Sequence, residues 1–146
     1  MGVLADHAIR DMVARGEITA RPEVIDAQVQ PASLDLRLGT RAWRVRASFL
    51  AGDGRKVADR LAEFEMHQID LSHGAVLEKG CVYVVPLMES LALPKGVQAV
   101  ANAKSSTGRL DLLTRLITDE GVEFDRIAPG YHGPLFAEIC PRSFSV

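Results

Sequence analysis

Hydrophobic residues recur at helical spacing in two stretches. From Leu4 to Ala14, Ala8, Ile9, Met12 and Val13 fall on one face, with Asp6 placed to cap the start and Gly16 to stop the end. From Lys56 to Met66, Val57, Leu61 and Phe64 repeat the pattern, and both stretches are predicted helices. Between them the period changes to two. Ser33 to Leu38 places Leu34, Leu36 and Leu38 on one side and Asp35 and Arg37 on the other, and it ends at Gly39. Arg41 to Phe49 sets Trp43, Val45, Ala47 and Phe49 against Arg44, Arg46 and Ser48. Together these runs predict a hairpin of half-buried strands. Residues 20–31 hold two prolines and no period, which predicts an irregular connection, and Ala51 to Gly54 reads as a turn.

From Ile69 onward the apolar runs are short: Val76–Leu77, Val82–Val85, Leu87–Leu93 and Val97–Ala101, punctuated by Gly80, Pro86, Pro94 and Gly96. That rhythm predicts an all-β barrel or sandwich. Lys104 to Leu113 breaks it as a short helix, and Asp119-Glu120-Gly121 is a turn. Val122 to Ile127 and Leu135 to Cys140 are further strands, separated by Pro129-Gly130-Tyr131-His132-Gly133. The strands counted this way do not close a sheet, so closure is expected from a partner copy or from further chain.

Composition narrows the function. The 146 residues suffice for one domain, expected over 1–146. Apolar residues make up 47% and charged residues 25%, which excludes disorder as the main state. Lys plus Arg number 17 and Asp plus Glu 19, a net charge of −2 that argues against non-specific binding to nucleic acid or to an anionic membrane. No apolar run is long enough to span a bilayer. The N-terminal MGVLADHAIRD carries acids where a signal peptide has a basic and then apolar stretch, so a cytoplasmic protein is expected. Cys81 and Cys140 lie far apart in apolar segments and read as free thiols.

Three segments carry candidate chemistry. In Ala103-Lys104-Ser105-Ser106-Thr107-Gly108-Arg109 two cations flank three hydroxyls at a helix start, where backbone N–H groups favour a phosphate. Ser105 and Arg109 share a helix face, and a guanidinium there offers two donors to one anion; a capped helix with a solvated basic face fits equally. In Asp125 to Gly133 a Pro-Gly turn beside Tyr131 permits close approach of backbone to a ligand, and an ordinary hairpin fits the same residues. Glu138 is an acid centred in the apolar run Leu135 to Cys140, on the same side as Phe136 and Cys140. It must face solvent, pair with a cation, or line a pocket as a general acid or base. His7, His67, His73 and His132 form no zinc-ligand spacing, and the sequence has neither a Walker loop nor a G-x-S-x-G elbow. Water activation in this chain therefore calls for a carboxylate.

Gln30-Pro31-Ala32-Ser33-Leu34-Asp35-Leu36-Arg37-Leu38-Gly39, Lys104 to Arg109, and Arg126-Ile127-Ala128-Pro129-Gly130-Tyr131, followed by the strand with Glu138, resemble in order the motifs of the dCTP deaminases of the dUTPase-like superfamily. The likeness runs from the N-terminal helix to Glu138 and is strongest to the N-terminal lobe of the longer, two-lobed bacterial members. It implies a mainly β fold, a distorted β-barrel or jelly-roll-like architecture with an N-terminal helix and short additional helices. It also implies a trimer-like homo-oligomer with sites between subunits, and hydrolytic deamination of dCTP to dUTP and ammonia without zinc. Mg²⁺ is then expected on the substrate triphosphate and no metal at the cytosine. Residue by residue, Glu138 matches the glutamate that activates water and shuttles protons. Ser105 and Arg109 match residues that position that water and stabilise the site, Lys104 and Ser106 match triphosphate contacts, and Arg126 and Tyr131 match the segment that shapes the nucleoside pocket.

Lys104 stands where single-domain members carry Arg, and Ala128 where relatives carry Asp after Ile. In dUTPases that Asp helps hold the attacking water, so its replacement argues against a dUTPase. The segment between Arg109 and Arg126 is longer than in compact members, and the family's C-terminal strands and triphosphate-covering tail are expected to be missing. Three functions fit: a dCTP deaminase, a dUTPase or an enzyme forming dUMP directly, and a lobe that binds nucleotide or completes an oligomer without turnover.

Overall fold

The computed structural model describes residues 2–146. Its centre is an antiparallel sheet of six strands: β1 (Ile18–Ala20), β2 (Arg41–Val45), β3 (Glu65–Asp70), β4 (Val82–Ala92), β6 (Leu112–Thr118) and β8 (His132–Pro141). The order is β3-β2-β4-β8-β6, and β1 pairs β4 beside β2. A second, two-stranded sheet joins β5 (Ala99–Val100) to β7 (Arg126–Ile127). The fold is mainly β, as expected, and the sheet is open, with β3 and β6 at its ends rather than closed into a barrel. Among the described residues no helix is long and apolar enough to cross a membrane.

Both period-3.6 stretches are helices. The first, α1 (Asp6–Ala14), buries Ile9 and Met12; its N-cap is Ala5, not Asp6, and Asp6 instead pairs with Arg10 one turn on. The second, α2 (Val57–Phe64), buries Val57 and Leu61 and ends before the predicted Met66 because the chain turns into β3. Phe64 stacks on Phe49 with ring centroids 5.1 Å apart. These residues join Val45, Val84, Ile117 and Phe136 in one core cluster, which places α2 over one face of the sheet. Leu135, Leu116, Ile9, Met12 and Ile18 form the cluster beneath α1.

The predicted Ser33–Leu38 strand and its hairpin with Arg41–Phe49 are not formed. β2 pairs β3 and β4 instead, and the backbone of residues 33–39 pairs with β4 as the single isolated Leu38–Leu87 bridge rather than as a ladder. The cause is a competing polar network. Glu89 on β4 is fully buried, and its carboxylate accepts from the Arg37 backbone N–H (2.8 Å), from Arg37 Nε (2.8 Å) and from Gln28 Nε2 (3.1 Å). An N–H that a ladder would use is bound to a side chain. Gly39 completes the fit, since a Cβ there would lie 2.7 Å from the Pro86 carbonyl oxygen that its own N–H reaches.

Other boundaries shift for similar reasons. Val82–Val85 and Leu87–Leu93 fuse into one strand through Pro86, where the ladder with β8 is irregular. Val76–Leu77 is not a strand, although Leu77 exchanges both backbone hydrogen bonds with Val146. Of Val122–Ile127 only Arg126–Ile127 is extended into a pair, because Asp125 has φ 64° and turns its carboxylate onto the Leu116 N–H at 2.8 Å. The helix predicted from Lys104 to Leu113 is the five-residue α3 (Ser105–Arg109), and β6 takes over from Leu112. Cys81 and Cys140 are free, and burial pushes the Cys140 thiol above its ordinary range.

Candidate active site

β8 lies between β4 and β6, so its side chains are covered laterally on both sides. Glu138 stands opposite Val84 on one neighbour and opposite Arg115 on the other. Directly opposed residues share a sheet face. Here that face is the one under α2, and Glu138 is only 2% exposed.

Of the three fates open to an acid in an apolar strand, the structure selects a cation partner. Arg115 Nε donates to Glu138 Oε2 at 2.8 Å, and Nη2 of the same guanidinium stands 2.6 Å from that oxygen. The Ser48 hydroxyl, arriving from the loop after β2, donates to Oε1, and Arg115 Nη2 donates to the Ser48 oxygen at 3.0 Å. The guanidinium lies 3.7 Å over the Phe124 ring, a cation–π contact that fixes its plane. Arg115 is the partner that sequence reasoning missed. A signal was present: like Glu138, it is a lone charge inside an apolar run, Leu112 to Ile117.

The other predicted site residues lie apart from this trio. Ser105, Ser106 and Arg109 are exposed on α3, and among the described residues no side-chain hydrogen bond or ion pair joins them to Glu138. α3 leads into β6 at Leu112, which pairs Pro141, three positions from the Arg115–Glu138 pair and therefore about 10 Å along the strand. A hollow of about 440 Å³ opens at that junction, lined by Gly108, Asp111, Leu112, Leu113 and Arg142. Lys104 reaches back to Asp35, with Nζ to Oδ2 at 2.8 Å, which ties the second motif to the first. Arg126, exposed on β7, pairs Glu123 at 3.4 Å. Among the described residues no group of three or more His, Cys, Asp or Glu side chains is placed to hold a metal.

Tyr131 has a fixed task in the turn before β8. Its hydroxyl accepts from the Asp119 N–H at 3.0 Å and donates to the Pro134 carbonyl at 2.7 Å. Burial pushes the phenol up to about 12, so it stays a neutral donor near neutral pH. Gly133 follows at φ 155°, where a Cβ would lie 2.9 Å from the Tyr131 hydroxyl. Tyr131→Phe removes both hydrogen bonds and is expected to lower unfolding free energy by about 1–3 kcal/mol, read from urea denaturation.

Comparison with known proteins matches this chain to one family. Residues 1–146 match the family described as "2'-deoxycytidine 5'-triphosphate deaminase (DCD) N-terminal domain". The crystal structure of 2'-deoxycytidine 5'-triphosphate deaminase from Agrobacterium tumefaciens superposes with a TM-score of 0.96 at 58% identity, over 99% of this chain and 43% of that one. A dCTP deaminase of Halorubrum lacusprofundi is 27% identical over 139 residues, 94% of this chain and 66% of the relative. A dUMP-forming dCTP deaminase of Beutenbergia cavernae is 31% identical over 137 residues, 94% of this chain and 67% of the relative. The chain thus spans under half of the Agrobacterium chain and about two thirds of these curated relatives. Matched by the family model over residues 1–146 and superposing over nearly its whole length, the chain belongs to the family of dCTP deaminase N-terminal domains.

Proposed function

We propose that this domain takes part in hydrolytic deamination of dCTP to dUTP and ammonia, with Glu138 as the group that moves the proton. The observation that carries the reading is a buried carboxylate at the centre of the sheet, reached by hydrogen-bond donors from two other segments. Water adds through oxygen to C4 of the cytosine and gives a proton to the carboxylate. That proton passes to N3; the carboxylate then takes the proton left on the C4 hydroxyl and gives it to the amine, so C4=O forms as the C4–N bond breaks and ammonia leaves. Ser105 and Arg109 position the water and stabilise the site, Lys104 and Ser106 meet the triphosphate, and Arg126 and Tyr131 shape the nucleoside pocket. Ser105 and Arg109 do not reach Glu138 within one chain, which favours a homo-oligomer, trimer-like, with each site built from two copies or lobes. No nucleic acid or membrane partner enters this reading, and the cytoplasm is its place.

Mg²⁺ enters with the triphosphate as part of the substrate. Activity is expected to survive strong zinc chelators and to fall when Mg²⁺ is withheld, measured by ammonia release. Stoichiometric zinc that tracks activity would overturn this reading. Chromatography of the products separates dUTP from direct formation of dUMP, the reaction named for the Beutenbergia relative.

One observation favours a second reading. Arg115 already neutralises Glu138, as a purely structural ion pair would, so the domain would then be a non-catalytic lobe that binds nucleotide or completes an oligomer. Calorimetric titration with dCTP distinguishes the two: binding without turnover supports the lobe.

A further inference from the structure

We infer that Arg115 and Ser48 are positioning residues that select which oxygen of Glu138 handles the proton. The inference rests on the deaminase reading of Glu138. Oε2 has both Arg115 Nε and Nη2 against it, at 2.8 and 2.6 Å. Those charge-assisted contacts leave that oxygen committed to the guanidinium. Among the described residues Oε1 accepts only from the Ser48 hydroxyl, a neutral donor that can rotate away. Oε1 is therefore the oxygen that takes the proton from water and returns it, while Oε2 anchors the carboxylate.

The anchor is itself held. Phe124 lies beneath the guanidinium, and Nη2 bridges to the Ser48 oxygen, so one planar cation orients the acid and the hydroxyl together. Lysine keeps the charge but not the fork that spans two acceptors. Ser48 and Arg115 come from segments 67 residues apart, and neither lies in the three motifs that carry the family resemblance.

The test compares wild type with Arg115→Gln, Arg115→Lys, Ser48→Ala and Glu138→Gln in dCTP single-turnover and steady-state assays, corrected for folded fraction by denaturation. Misplacing a reacting group by about 1 Å costs on the order of 100-fold, which is the expected loss of kcat in Arg115→Gln, with KM changed less than about threefold. Arg115→Lys is expected to recover part of kcat, and Ser48→Ala to lose roughly tenfold. A purely structural pair would move stability but not kcat per folded molecule.

A second readout does not depend on turnover. In nitrogen-labelled protein the Arg115 Nε–H resonance is expected to be protected from exchange with water, and to lose protection in Glu138→Ala. Free exchange in wild type, or unchanged kcat in both Arg115 variants, overturns the inference. Unchanged turnover in Glu138→Gln removes Glu138 from the chemistry and overturns the choice of oxygen, and the exchange measurement then still decides whether Arg115 holds the carboxylate. Absence of dCTP turnover in wild type removes that reading, and the positioning role with it.

Discussion

Glu138→Gln is expected to lower the rate of dCTP deamination on the order of 1,000-fold while leaving dCTP affinity within roughly tenfold. The amide keeps the volume of the side chain, and its oxygen still accepts from Arg115. What it cannot do is take up a proton from water and return it to the ring and the amine. The loss therefore belongs to the chemical step and is read under single-turnover conditions with enzyme in excess. Glu138 is buried and pairs Arg115 at 2.6 Å, so the unfolding midpoint is measured alongside. Near-normal single-turnover rates in a folded variant would remove Glu138 from the chemistry.

The second large effect is on stability. Glu89 is completely buried and holds residues 28–37 against β4 through Arg37 and Gln28. Glu89→Ala strands the Arg37 guanidinium, which among the described residues keeps the Pro22 carbonyl at 2.6 Å, and the half-free Gln28 amide. Breaking one side of a buried pair costs about 3–5 kcal/mol. At this chain length that corresponds to a fall in Tm of roughly 10–16 °C. The double variant Glu89→Leu with Arg37→Leu is expected to recover part of the loss, because an apolar pair leaves no charge unpaired. Calorimetric unfolding checks both. A single variant as stable as wild type would mean that the first-motif segment is held by other contacts.

Much of this architecture was legible along the chain. The helical period found α1 and α2, and the apolar runs found β4 and β8, because in each the buried face repeats locally. β6 escaped because Thr114 and Arg115 interrupt its apolar run and it follows α3 directly. β3 escaped because it lies at a sheet edge, where of its six residues only Ile69 is even half-buried, leaving no alternation to read. Residues 33–38 misled in the opposite direction, since their alternation is real but the Arg37 N–H belongs to Glu89. Glu89 obeys the same rule that singled out Glu138, an acid inside an apolar run, here Leu87 to Leu93. Applied evenly, that rule finds both buried acids. Their partners are harder to find: Arg115 is 23 residues from Glu138, Ser48 is 90, and Arg37 is 52 from Glu89. Only strand order brings them together.

The most direct measurement is dCTP turnover in water enriched in heavy oxygen, with ammonia quantified and the products resolved by mass spectrometry. Water attack at C4 predicts one labelled oxygen on the uracil ring for each ammonia released, and label in phosphate or pyrophosphate only if dUTP is also hydrolysed. Label confined to phosphate with no ammonia formed, or ammonia released without label on the ring, would contradict a water-adding deaminase built around Glu138.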